Sequence, residues 1–154
     1  MTAAVVVLSL PAAGTAWTES PGPQGISLFL PPGCAVAPYA EGVTRVEFPI
    51  PSGTLLAEFF LLIEAGGGPL PPGQPIWIGG RRFILRHWLE GAAGSRYEAF
   101  RFVAPAGKGR WAALTFVIHT ANPGMFSEPP PPYDRGAVLG MIWEVLATAR
   151  FPAR

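Results

Sequence analysis

The sequence predicts an α+β domain, an antiparallel β-sheet with a long C-terminal helix packed on one face. Three observations carry this. The chain has 154 residues, 49% hydrophobic and 12% aromatic, enough apolar surface for one core. Its 19 glycines and 19 prolines divide that apolar content into short runs, the pattern of strands joined by tight turns. Only the last apolar segment repeats with a helical period.

The first run, "AAVVVLSL" (Ala3–Leu10), is followed by "PAAGTAW". Two readings of residues 1–16 stay open. Gly14 and Ala16 are spaced like a signal-peptidase site before Trp17, without the usual preceding basic residues. Alternatively the segment is a first strand. The run is too short to span a bilayer. Residues 17–154 read as one domain without an internal repeat.

"ISLFL" (Ile26–Leu30) is a short strand, and Pro32-Gly33 suits the centre of a type II turn. "VTRVEF" (Val43–Phe48) is the next strand, ended by Pro49 and Pro51. "TLLAEFFLLIEA" (Thr54–Ala65) is the longest apolar segment, and Gly53 and Gly66–Gly68 bracket it as a strand. Alternation puts Leu55, Ala57, Phe59, Leu61 and Ile63 on one face. Leu56, Glu58, Phe60, Leu62 and Glu64 take the other. "GGGPLPPGQP" is a loop. "PIWIGG" and "RRFILRHWLEG" form two strands around a Gly79-Gly80 turn. "SRYEAFRFVA" (Ser95–Ala104) and "RWAALTFVIHT" (Arg110–Thr120) flank "PAGKG", a hairpin signal.

The closing segment "YDRGAVLGMIWEVLATAR" is the helix. Val138, Met141, Ile142, Val145, Leu146 and Ala149 recur at three- and four-residue steps. Asp134 is the expected N-cap, and Tyr133 with Val138 forms a hydrophobic staple. Arg150 is expected in the last turn, where it suits the helix dipole.

A net charge of +1 gives no long-range field, which argues against nucleic acid as a partner. No transmembrane segment is expected. Asn122 is the only Asn and Lys108 the only Lys. Few amides and many prolines suit a thermophile, and a GC-rich genome produces the same bias. Cys34 is alone, so no internal disulfide forms.

Catalytic parts are scarce. His87, His119 and Cys34 are scattered, so neither a metal site nor a cofactor is expected. There is no nucleophile elbow, and "AGGGPLPPG" lacks the Lys-Ser/Thr of a phosphate loop. Cys34 follows a Pro-Gly turn beside apolar residues, where an inert thiol is the commoner outcome. Glu58 and Glu64 are about 20 Å apart at strand rise, too far for a glycosidase pair. Glu58 is expected to meet an arginine across the sheet, Arg86 or Arg101. Candidate binding residues come from three places. "GRRFILRHW" mixes Arg81, Arg82, Arg86 and His87 with Phe83 and Trp88, a mixture that can bind anions or stacked bases. Without net basic charge the favoured reading is a strand with one solvated face, and Arg82, Arg86, His87 and Trp88 are the binding candidates. "SEPPPPYD" offers a stiff lead-in to the helix and brings Tyr133. His119 ends its strand, with strand parity shared with Trp111, Ala113, Thr115 and Val117. Its ring nitrogens are expected to satisfy loop backbone groups, since no orienting acid and nucleophile are visible beside it.

These stretches resemble a known family. "FLPPG" after a strand, "IGG" before an aromatic, a Tyr-led strand, "LTFVIHTANPG" and a helix ending "ATARF" are similar to PsbP-like domains, named for an extrinsic photosystem II subunit. "GAAGSRYE", "HTANPGMF" and "PPPPYDR" resemble bacterial extracytoplasmic members. The likeness runs from about Gly25 to Phe151. Two positions depart from it. Cys34 stands where such chains usually carry Trp, and no Cys occurs between Trp111 and Thr120. The resemblance implies a PsbP-like α/β/α sandwich without enzymatic activity that assists a larger partner. The expected function is therefore a non-catalytic binding or accessory module of the cell envelope, engaging a protein or a small apolar ligand. The alternatives are a small hydrolase or lipid-handling enzyme using His119, and a cytoplasmic partner-binding protein.

Overall fold

A computed structural model describes residues 17–152. Both readings of residues 1–16 lie outside the described residues. In chain order the elements are β1 (Thr18–Pro21), β2 (Ser27–Leu30), β3 (Ala35–Ala40), β4 (Val43–Glu47), β5 (Leu56–Gly67), β6 (Gln74–Ile78), β7 (Arg81–Ala92), β8 (Ser95–Pro105), β9 (Arg110–Thr120) and α1 (Arg135–Thr148). β3 to β9 form one sheet in the spatial order β3-β4-β5-β9-β8-β7-β6. Every neighbouring pair is antiparallel. The α+β class with one C-terminal helix is therefore what the chain adopts. β1 and β2 make a separate hairpin. Among the described residues α1 is the only α-helix, and the second helical layer of an α/β/α sandwich is not among them.

Two meanders, β3-β4-β5 and β6-β7-β8-β9, are zipped together by β5 and β9. The core lies on the face shared with α1. Phe48 stacks on Phe59 at 4.4 Å, Phe59 approaches Phe116 at 6.4 Å, and Phe116 meets Phe102 edge-on at 6.1 Å. Phe102 then meets Phe83 at 6.3 Å and Trp143 of α1 at 5.8 Å. These rings form a ladder across five strand positions, and edge-to-face contacts add to the area they bury.

α1 begins where Asp134 Oδ1 accepts the Ala137 backbone N–H at 3.0 Å. Tyr133 and Val138 both pack on the core, and Ile142, Val145 and Leu146 are buried. Arg150 is not in the last turn, because the helix stops at Thr148. The chain pairs instead with β2: Ser27 and Arg150 exchange backbone hydrogen bonds of 3.0 and 2.9 Å. Thr148 Oγ1 accepts the Phe29 N–H at 3.0 Å. Helix and hairpin thus share one layer.

A bulge between Leu56 and Glu58 corrects the predicted alternation at the start of β5. Leu56 is buried with Phe59, Leu61 and Ile63, while Ala57 is exposed. β3 was not expected from the sequence; all six of its residues are exposed at a sheet edge. Both edge strands contain proline, Pro38 in β3 and Pro75 in β6. Missing N–H groups there blunt edge-to-edge pairing.

Residues 68–73 connect β5 to the far edge of the sheet. Four inter-strand steps amount to about 19 Å, and the seven steps from Gly67 to Gln74 reach about 24 Å at most. The link must run nearly straight, which suits Pro69, Pro71 and Pro72. It hugs the sheet, since a Cβ on Gly73 would lie 2.6 Å from Ile84 Cγ2. We call it the strap.

The β7–β8 turn places Ala93 at φ +50° and Gly94 at φ +80°. Asn122 Nδ2 donates to the Ala93 carbonyl at 2.7 Å, and it sits so close to Gly94 that a Cβ there would clash at 2.3 Å. Ala93 carries left-handed strain that glycine would not. Ala93→Gly is expected to stabilise the fold by about 1 kcal/mol, raising Tm by about 2–4 °C in a thermal melt.

Candidate functional site

The predicted binding residues do not converge. Alternation along β7 puts Arg82, Arg86 and Trp88 on the sheet face away from α1, because they stand opposite Trp77, Arg101 and Ala99. His87 takes the helix side, opposite Phe100, on which its ring stacks at 4.5 Å. Tyr133 is also on the helix side, where its hydroxyl accepts from Thr120 Oγ1 at 3.3 Å. His119 faces away from α1, one strand beyond Tyr97.

His119 donates from Nδ1 to Glu58 Oε2 at 2.9 Å, and its ring lies flat on Tyr97 with centroids 4.1 Å apart. The expected contact with loop backbone is therefore corrected. The orienting acid that sequence proximity did not show stands directly across the β5–β9 register. A carboxylate only accepts, so Nδ1 carries the proton that bridges to Glu58. Nε2 is buried without a hydrogen-bond partner among the described residues. Glu58 does meet an arginine, but it is Arg45, at 3.3 Å. Arg45 also donates to Glu47 at 2.6 Å and lies 3.7 Å over the Phe60 ring. Arg101 pairs with Glu64 instead and leans over Trp111 at 5.7 Å. Trp111 in turn lies on Gly66, where any side chain would strike the indole.

The second histidine belongs to a cluster around a buried carboxylate. Glu98 is only 3% exposed. His87 Nε2 lies 3.0 Å from its Oε1, and Arg135 at the start of α1 donates to both carboxylate oxygens. The hydrogen bond from Arg135 holds the Glu98 carboxyl below the usual range, with His87 adding to it and burial opposing. This cluster ties the helix start to β8.

Between the layers lies an apolar groove of about 330 Å³. Pro31, Pro32, Phe48 and Phe59 form its floor, and Tyr133, Val138 and Met141 its helix wall. Its one charged residue is Asp134, already engaged as the helix cap. Sequence reasoning found only Tyr133 of this set, since the groove joins residues over 100 positions apart. Neither histidine lines it. Cys34 packs against the same core, and burial pushes its thiol up to about 11. Among the described residues no three His, Cys, Asp or Glu side chains come together as a metal site. No described helix is long and apolar enough to cross a membrane.

No family model and no curated protein matches the chain. A crystal structure from Bacteroides thetaiotaomicron VPI-5482 is similar in fold, with a TM-score of 0.60 at 14% identity. The match covers 90% of this chain and 49% of that one, so this chain spans about half the length of its structural neighbour. At that identity the likeness shows the fold alone. It supports the class already described, an α+β domain built on an antiparallel sheet.

Two outcomes follow from these surroundings. Glu98 titrates low in the folded state, so its contribution is complete above its unfolded pKa of about 4.3 and is lost as pH falls through the lower folded value. Glu98→Gln is expected to cost about 1–2 kcal/mol at pH 7, with the gap to wild type closing as melts are repeated at progressively lower pH. For Cys34, a pKa of about 11 leaves roughly one thiolate in ten thousand at pH 7. Iodoacetamide at neutral pH should leave it unmodified in the folded protein and alkylate it in denaturant, read by mass spectrometry.

Proposed function

We propose that this protein is a non-catalytic binding module whose groove between helix and sheet takes a small apolar ligand. The observation that carries the reading is the groove itself. At about 330 Å³ it falls at the small end of ligand-sized pockets. Its walls are proline, aromatic and aliphatic side chains, and its two polar side chains, Tyr133 and Asp134, each hold one hydrogen bond to the protein. An apolar ligand there displaces water mainly from apolar side chains.

The PsbP-like kinship belongs to the same proposal. Its supports are the antiparallel sheet, the Pro-Pro-Gly turn and the capped C-terminal helix. An accessory role in the cell envelope is consistent with Ala3–Leu10 and the small residues before Trp17.

One observation favours the hydrolase alternative: His119 is oriented by Glu58, as a general base requires. Against it, His119 Nε2 contacts no hydroxyl or thiol, and the ring lies away from the groove. The binding reading is the stronger.

Titration with N-phenyl-1-naphthylamine tests it. A single saturable fluorescence rise is expected. Ala137→Trp, on the helix wall of the groove, should weaken it by about tenfold or more, the equivalent of one lost apolar contact site. Unsaturable enhancement, or equal binding by the variant at unchanged Tm, would overturn the reading.

A further inference from the structure

At one end of the sheet the β6–β7 hairpin parts from β8. β7 pairs with β8 only from Ile84, opposite Val103, whereas Arg81 and Arg82 pair solely with Ile78 and Trp77 of β6. The separation leaves a cleft of about 500 Å³. The hairpin tip forms one wall, Pro105 of β8 the opposite one, Leu70 of the strap a third, and Ala147 near the end of α1 closes it.

The lining has two positive charges, Arg81 and Arg82, and no carboxylate. Neither arginine forms an ion pair with a described residue. Arg45, Arg101 and Arg135 are matched by Glu47 and Glu58, Glu64, and Glu98; Arg86, Arg96 and Arg110 are also without an ion pair among the described residues, but they do not line this cleft. Arg81 is held with its guanidinium 4.4 Å over the Phe151 ring, which fixes the group and leaves its N–H edge unspent. Trp77 stands opposite Arg82 across the hairpin and is 70% exposed, unusual for so large an apolar ring.

The end of α1 also faces this cleft, and its carbonyls carry about −0.5 of an elementary charge. Two full guanidinium charges outweigh that. An anion is therefore favoured, and planar guanidinium forks match carboxylate and phosphate oxygens in pairs. The exposed indole supplies a stacking surface for a flat ring. The volume accommodates a small molecule.

We propose that this cleft binds a small aromatic anion, an aryl phosphate or aryl carboxylate, with the acidic group on Arg82 and the ring against Trp77, which share one sheet face, while Arg81 adds positive charge from the helix side. The site is separate from the apolar groove, and each stands or falls alone.

Isothermal titration of the full chain with phenyl phosphate tests this, with inorganic phosphate and phosphatidylglycerol vesicles as parallel probes. One saturable site for phenyl phosphate is expected, weakened by added salt. Inorganic phosphate should bind about tenfold more weakly, because it forfeits the stacking contact. Arg82→Gln should lower affinity by about tenfold or more, as loss of a charged hydrogen bond does, and Arg81→Gln should lower it by less, since it removes only a nearby positive charge. Arg82→Lys, which keeps charge but not the fork, should fall between. Trp77→Ala should reduce binding of phenyl phosphate and leave inorganic phosphate unchanged. Thermal melts of each variant confirm folding. Absence of saturable binding, equal affinity for the two phosphates, or full binding by folded Arg82→Gln would overturn the proposal. So would vesicle binding that phenyl phosphate does not compete, which would assign the arginines to a lipid surface. Ala137→Trp should bind phenyl phosphate like wild type; a loss there would place the probe in the groove and overturn the assignment.

Discussion

The ladder of aromatic rings through Phe48, Phe59, Phe116, Phe102 and Phe83 is the contact on which the remaining geometry depends. It runs across strands from both meanders, and Trp143 of α1 rests on it. A one-residue slip anywhere along it would swing a phenylalanine to the opposite face. The ladder therefore fixes the strand registers. Those registers in turn set Glu58 opposite His119 and Trp77 opposite Arg82. Phe116, in the central strand and with no exposed surface, is the rung that joins the two meanders.

The face away from α1 follows from the same registers. No described helix covers it; Ile84, Val103 and Ala113 are buried there beside Trp111, and several charged side chains around them pair with each other. Arg45 serves Glu47 and Glu58, Glu58 also serves His119, and Arg101 serves Glu64. These pairs are half-buried, so desolvation offsets part of their attraction. Their effect is to keep an amphipathic surface soluble with few charges left over. Two recesses open where layers or hairpins separate, the groove beside α1 and the cleft beside β6.

The legibility of the fold tracks periodicity. Arg110–Thr120 is a strand with the ends read from the sequence, because alternation, an upstream Gly turn and a downstream Asn-Pro-Gly agree. The helix start is equally clear, since a lone Asp before an apolar repeat has one good use. β3 was invisible: at an edge nothing selects for alternation, and "AVAPYA" shows none. The bulge at Leu56 was also invisible, because a two-against-one pairing leaves no mark on composition. At the sites, strand parity already separates His87 from Arg86 and Trp88. The Glu58–His119 pair spans 61 residues, and no local spacing announces such a contact. Pro31, Phe59 and Met141, like Leu70, Arg81 and Ala147, meet only because of where strands part.

The strap gives the molecule a natural seam of its own. It is the single covalent link between the two meanders, yet their union does not rest on it. β5 and β9 are joined along Leu56 to Gly67, and the exit from α1 is hydrogen-bonded to β2 on the other half. A cut between Gly68 and Gly73 would divide the chain into two pieces of comparable size while leaving both attachments whole. The architecture is thus that of a split protein held closed by its own zipper, with halves suited to reassembling from separate polypeptides.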